Sequence, residues 1–192
     1  NSVTVLFCSR NLGANESYRS LNYYKGAFRR DERRVSKLFS FAHESGLNMT
    51  KANLDLHFVV DMISKPNIIA MALIDTNVLM RGIHKSIDHH LDEEYYGEKS
   101  EGNETSSFSG HYCLLIGIST HQNDISKAKT RFPTEEDDGS GFCIVVKDPG
   151  SSNPFDFITP RLFYRSWAAI GTDKDIIFIA NWQERYWNPS YS

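Results

Sequence analysis

Apolar positions along the chain recur with two periods, and the switches between them set out the expected elements. Val3-Thr-Val-Leu-Phe-Cys8 reads as a strand, ended by a polar turn around Asn11 to Asn15. Val35, Leu38, Phe39 and Ala42 then fall at i, i+3, i+4 and i+7, which predicts a helix over 31–45 with one apolar stripe. Asp31 and Glu32 suit its positive N-terminal end, and Gly46 supplies a left-handed stop. A second helix is expected from an Asn53 cap to Ser64, with Leu56, Val59, Val60 and Ile63 inward and Pro66 closing it. The run Ile68 to Ile74 is apolar on both faces and belongs in the middle of a sheet. Strands 112–118 and 141–147 follow, then a helix entered through Thr159-Pro160, then a strand over 175–180. The third helix turns Phe163, Ser166, Trp167 and Ile170 inward and stops at Gly171.

Two stretches break the pattern. Over 84–109, Asp88, Asp92, Glu93, Glu94, Glu98, Glu101 and Glu104 stand among Ser, Gly and Asn with almost no aliphatic residue. Such a segment cannot offset its ordering entropy by burial, so a mobile acidic loop is expected. The stretch 119–140 ends in Glu135-Glu-Asp-Asp138 and reads as a second acidic loop insertion. Consecutive strands in the middle of the chain argue for an antiparallel sheet with packed helices. The class is α+β, in one domain over 1–192.

Composition narrows the function classes. A chain of 192 residues, 40% hydrophobic, suffices for one domain with a core of its own. The formal net charge of −3 provides no field for nucleic acid, so none is expected as a partner. No apolar run approaches the roughly 20 residues that span a bilayer, so no membrane insertion is expected. The chain opens Asn1-Ser-Val-Thr4, without a basic leader or an initiating Met, which reads as a fragment or processed form without a signal peptide. Cys8, Cys113 and Cys143 are too few and too scattered for a disulfide framework or a zinc site. Their apolar settings predict reduced, buried thiols and a cytoplasmic location, with no cofactor.

The candidate chemistry is a His–Asp pair. Strands 112–118 and 141–147 form a hairpin with a long connection. If Ile118 faces Gly141, the same register puts His111 opposite Asp148, their Cβ atoms about 4.5–5.5 Å apart. The imidazole then donates one N–H to the carboxylate, which fixes its tautomer and raises its basicity. Gly110 before the His and Pro149-Gly150 after the Asp put both at the hairpin's mouth. A simple surface pair at neighbouring strand ends is the competing reading. A thiol nucleophile would need a Cys at a helix N-terminus, and none of the three precedes a helix.

Other candidates are weaker. His84, His89 and His90 with Asp88, Asp92 and Glu93 hold the right atoms for a divalent metal, but a solvated loop lacks the outer contacts that shape a site. Arg29, Arg30, Arg33 and Arg34 at helical spacing form a solvated face more readily than a phosphate grip. Trp182, Tyr186, Trp187 and Tyr191 suit either a partner or the domain's own surface. No P-loop is present, and Gly139-Ser-Gly141 is too short to stand for one.

Four blocks carry a family resemblance: Asp31-Glu-Arg-Arg-Val-Ser-Lys-Leu-Phe39 with Ala42-His-Glu-Ser-Gly46; Ile69-Ala-Met-Ala-Leu-Ile-Asp75; Gly110-His-Tyr-Cys-Leu-Leu-Ile-Gly117; and Lys147-Asp-Pro-Gly150 followed by Gly171-Thr-Asp-Lys-Asp-Ile-Ile-Phe178. Together they resemble the guanylyl cyclase domain-containing proteins of plants and animals. The resemblance implies a papain-like fold, similar to the cysteine peptidases that process bacteriocin leaders. It also implies an upstream Asp-Cys-Gly segment with the nucleophile, and His111 and Asp148 as the remaining catalytic positions. The family name implies conversion of GTP to cyclic GMP, and GTP enters as a ligand on that ground alone. This chain starts after the Cys-bearing segment, has Lys174 where the family usually has Glu, and expands the acidic loops. The sequence thus reads as a catalytically silent papain-like module acting in binding or as a subunit of an assembly, with other protein subunits as the expected partners. The alternative is an enzyme in full-length form, either a thiol hydrolase or a guanylyl cyclase, with His111 as base and Asp148 orienting it.

Overall fold

The computed structural model describes residues 3–20, 28–84, 108–131 and 139–181. The predicted strands are present as β1 (Val3–Ser9), β3 (Ile68–Asp75), β4 (Gly110–Ser119), β5 (Cys143–Lys147) and β7 (Ile176–Asn181). Two short strands that the alternation does not signal, β2 (Asn48–Lys51) and β6 (Asp156–Ile158), join them. The helices are α1 (Phe28–Glu44), α2 (Leu56–Ile63), α3 (Thr76–His84), α4 (Gln122–Arg131) and α5 (Pro160–Trp167). One sheet results, ordered β2-β1-β7-β3-β4-β5-β6, with β3 at its centre as its two-sided apolar sequence requires.

The architecture is α+β, but the sheet is mixed. β2 runs parallel to β1, Leu6 facing Asn48 and Ser9 facing Lys51, whereas every other neighbouring pair is antiparallel. The expected antiparallel sheet thus holds at every described pair but this one. The chain leaves β1, crosses through α1 and returns in the same direction, which is the connection that parallel pairing needs. Asn48-Met-Thr-Lys51 gives no alternation because a short edge strand has one neighbour and little to bury.

One face of the sheet carries the core. Leu6 and Cys8, Ile176 and Phe178, Ala70, Ala72 and Ile74, Cys113 and Leu115, and Ile144 and Val146 line it. Val59, Met62 and Ile63 of α2 and Leu162, Phe163 and Trp167 of α5 cover it. Phe163 and Trp167 stack at 5.8 Å between ring centroids, and both are fully buried. α5 begins as predicted, with Thr159 capping Leu162 N and Pro160 in the first turn. On the opposite sheet face, Val3, Val5, Ile69 and Tyr112 are exposed.

Several expectations are corrected. The cap of α2 is Asp55, whose carboxylate accepts from Phe58 N at 2.7 Å, and Met62 rather than Val60 completes its buried face. Leu38 on α1 is 53% exposed, so the stripe is half-covered at best; Phe39 touches Phe7 at 5.8 Å between centroids. Ile170 is exposed because α5 ends at Trp167, a turn earlier than expected. The second acidic stretch is not all loop: α4 buries Ile125 and Ala128 against Cys143. A contact that small leaves too few apolar positions for a period to emerge.

The first acidic stretch is helical at its start, and at its end Ser109 N donates to Asp75 Oδ1 at 3.2 Å. There the Phe108 ring packs so close to Gly171 that a Cβ on that glycine would stand 2.7 Å from it. The rest of that stretch, residues 85–107, and the segment 132–138 lie outside the described residues, as does the proposed mobility of the acidic loops. Among the described residues no helix is long and apolar enough to cross a membrane.

Candidate functional site

β1, β7, β3, β4 and β5 bring their polar ends to one rim of the sheet, because each is antiparallel to the next. That rim collects Ser9 and Arg10, Asp173 and Asp175, Asp75, His111 and Asp148.

His111 and Asp148 are in contact, with Nε2 2.7 Å from Oδ1. The register that produces this contact is not the expected one. Leu114 faces Lys147, two residues beyond the position expected, and Ile118 faces Ile144, three beyond. A bulge between Leu115 and Gly117 accounts for the change along the ladder. A shift of two keeps every side chain on its face, so Asp148 still meets His111, now as a diagonal neighbour rather than a directly opposed one. Both lie on the core face, in line with Ile74 and Val146, at the point where helix cover ends. Their side chains are 32% and 36% exposed.

The carboxylate has a second donor. Gly150 N gives its proton to Asp148 Oδ1 at 2.7 Å, and Ser151 N binds the Asp148 carbonyl at 3.1 Å. A Cβ on Gly150 would stand 3.3 Å from Oδ1 and 3.9 Å from His111 Cε1, so the residue's bareness leaves that flank of the pair open. A carboxylate only accepts hydrogen bonds, so Nε2 donates in this contact, and in the neutral ring Nδ1 is then the acceptor. Chemically, this is an oriented base.

None of the three cysteines is an activated thiol. All are buried and free. Burial pushes Cys8 up to about 11. Burial, followed by the charge of Asp148, pushes Cys113 up to about 12. Cys143 is raised as well, again by burial first.

Sequence reasoning missed the other half of the rim. Asp173 accepts from Tyr18 Oη at 2.7 Å and from Asn15 Nδ2 at 2.8 Å, and its carbonyl takes Arg10 N at 2.8 Å. Asp173 and Lys174 both have positive φ, at 51° and 53°. Burial, chiefly, pushes Asp175 up to about 7; Asp173 adds to this, while a hydrogen bond from Ser9 and the charge of Arg10 oppose it. Lys174 is buried, its ammonium donating to Leu54 O at 3.0 Å and Tyr164 Oη at 3.2 Å and lying over the Tyr164 and Trp167 rings. That setting of oxygens and ring faces suits a cation, which gives a physical reason for lysine here. The Gly-Thr-Asp-Lys-Asp string was the available signal, but spacing alone did not reveal that Tyr18 and Asn15 would meet it.

The remaining candidates divide. Arg34 pairs with Asp31 at 3.6 Å along its own helix, as a solvated face would. The side chains of Arg29 and Arg30, that of His84, the residues His89, His90, Asp88, Asp92 and Glu93, and the aromatic tail after Asn181 lie outside what is described. Among the described residues no group of three His, Cys, Asp or Glu is placed to hold a metal ion.

The family model described as guanylylate cyclase matches residues 1–179. A curated relative, Guanylyl cyclase 1 of Arabidopsis thaliana, is 24% identical over 176 residues, covering 87% of this chain and 51% of that protein. The chain therefore spans about half the length of the relative it matches. No solved structure matches it.

Proposed function

The chain belongs to the guanylylate cyclase family, and from that premise we propose that it is a general-base domain in which His111, oriented by Asp148, takes a proton from a substrate hydroxyl. The substrate that the relative's name points to is GTP. In that reaction the ribose 3′-hydroxyl gives its proton to His111 Nδ1. The oxygen then attacks the α-phosphorus, the bond from that phosphorus to the β-phosphate oxygen breaks, and pyrophosphate leaves with cyclic GMP as the second product. Asp148 holds the ring on the Nε2 side and stabilises the imidazolium that forms. The observation that carries this reading is the 2.7 Å contact from Nε2 to Oδ1, which in the neutral ring makes Nδ1 the acceptor.

The buried, raised thiols of Cys8, Cys113 and Cys143 favour a hydroxyl over a thiol as the group deprotonated, so far as the described residues go. A papain-like fold remains our reading from the resemblance.

A second reading keeps the fold without the chemistry: a module that binds a protein subunit. The exposed Val3, Val5, Ile69 and Tyr112 on one sheet face favour it. Product analysis separates the two. Purified chain incubated with GTP should release cyclic GMP and pyrophosphate in equal amounts, and His111→Ala should lower that rate about 10²- to 10³-fold. Absence of both products from wild-type protein would leave the binding module.

A further inference from the structure

We propose that Lys147 is a positioning residue for the His111–Asp148 pair, acting on the loop that carries Asp148; the proposal rests on the general-base reading of that pair.

Lys147 precedes Asp148 and, by the alternation of a strand, points to the opposite sheet face. Its ammonium does not reach the imidazole. It reaches forward, donating to Ser151 O at 3.4 Å and to Asn153 O at 2.7 Å. Those carbonyls belong to the loop Asp148-Pro-Gly-Ser-Ser-Asn-Pro154, which is largely exposed. It has no apolar side chain to anchor it except the two prolines, so polar contacts must set its shape.

The contacts converge on Asp148. Gly150 N holds the carboxylate and Ser151 N holds the carbonyl. Asn153 N binds Ser151 Oγ at 3.2 Å, and Asn153 Nδ2 binds the buried Asp156 at 2.9 Å, on the strand next to β5. Lys147 ties Ser151 and Asn153 back to β5 itself. The two amides that hold Asp148 thus sit on a loop closed from both sides, by Lys147 on β5 and by Asp156 on β6. An orienting carboxylate is useful only within a narrow angular range, so whatever fixes this loop fixes the base.

The test reads geometry directly. Chain labelled with nitrogen-15 histidine reports the imidazole proton between His111 and Asp148, assigned by its loss in His111→Gln. In Lys147→Met that proton should exchange with water about tenfold faster than in wild type. In Lys147→Arg, which keeps donors for both carbonyls, the rate should stay within about twofold. Equal exchange in Lys147→Met and wild type would overturn the proposal, as would equally fast exchange in the Met and Arg variants. Should the Met variant fail to fold, Lys147→Leu, which likewise has no donor, takes its place with the same two outcomes. Because the signal needs no turnover, its failure and a failure of the cyclase reading are separable.

Discussion

Two clusters share one rim of the sheet and use the same residue types to opposite ends. At β4 and β5, Asp148 Oδ1 accepts from an imidazole and from a backbone amide, and the pair stays about one-third exposed. At β1 and β7, Asp173 Oδ1 accepts from Tyr18 and Asn15, and burial together with that bond to Asp173 pushes the Tyr18 phenol up to about 12. In the proposed reading the first arrangement orients a base; the second ties the exit of β1 to the entry of β7. Having acids at a rim is therefore not enough. Each carboxylate takes two donors on one oxygen, so the difference lies in the partners: an imidazole and a loop amide at Asp148, a phenol and an amide from a distant turn at Asp173.

The comparison breaks most visibly at His111. His111→Ala should cost about 10²- to 10³-fold in the rate of cyclic GMP formation, the usual worth of a positioned base. Asp173→Ala should do the reverse, losing about 3 kcal/mol of stability in a urea titration while the rate per folded molecule stays within a few-fold. That figure combines two hydrogen bonds to a charged group with the strain of alanine at positive φ. Asp173→Asn, which tolerates that backbone, should recover most of the loss.

Asp175 sharpens the contrast through pH. Burial, chiefly, holds it up to about 7 in the fold, whereas a carboxyl in an unfolded chain titrates near about 4. The folded state keeps a proton that the unfolded chain gives up. This favours folding fully below about pH 4, and the advantage is lost as pH rises through about 7. Asp175→Asn cannot ionise, so its stability relative to wild type should be higher at about pH 8 than at about pH 5 in paired denaturation curves. The smallest effect belongs to the exposed pair: His111→Ala should change unfolding free energy by less than about 1 kcal/mol, since a side-chain pair this open to solvent contributes little.

The sequence made the chemical half of the rim easier to read than the structural half. His111 and Asp148 stand beside strands with clear alternation, and period two made the pairing robust: a register wrong by two residues still brought them together. The central position of β3 and the Thr159-Pro160 start of α5 were legible for the same local reasons. Asp173 was not, because its partners Tyr18 and Asn15 lie more than 150 residues away, and no period reports a contact of that kind. β2 and β6 escaped notice because each is an edge strand of four residues or fewer. α1 misled in the other direction: its stripe is real, yet Leu38 and Phe41 remain exposed among the described residues. Periodicity gives the face of a helix, not what lies against it.

The central claim is that His111 and Asp148 act as one unit. The direct test is a double-mutant cycle on the initial rate of GTP cyclisation, comparing His111→Ala, Asp148→Ala and the double variant with wild type. The double variant should be no slower than His111→Ala alone, since removing the base leaves the carboxylate nothing to orient. Losses that multiply, or a His111→Ala chain that turns over GTP at the wild-type rate, would contradict the claim.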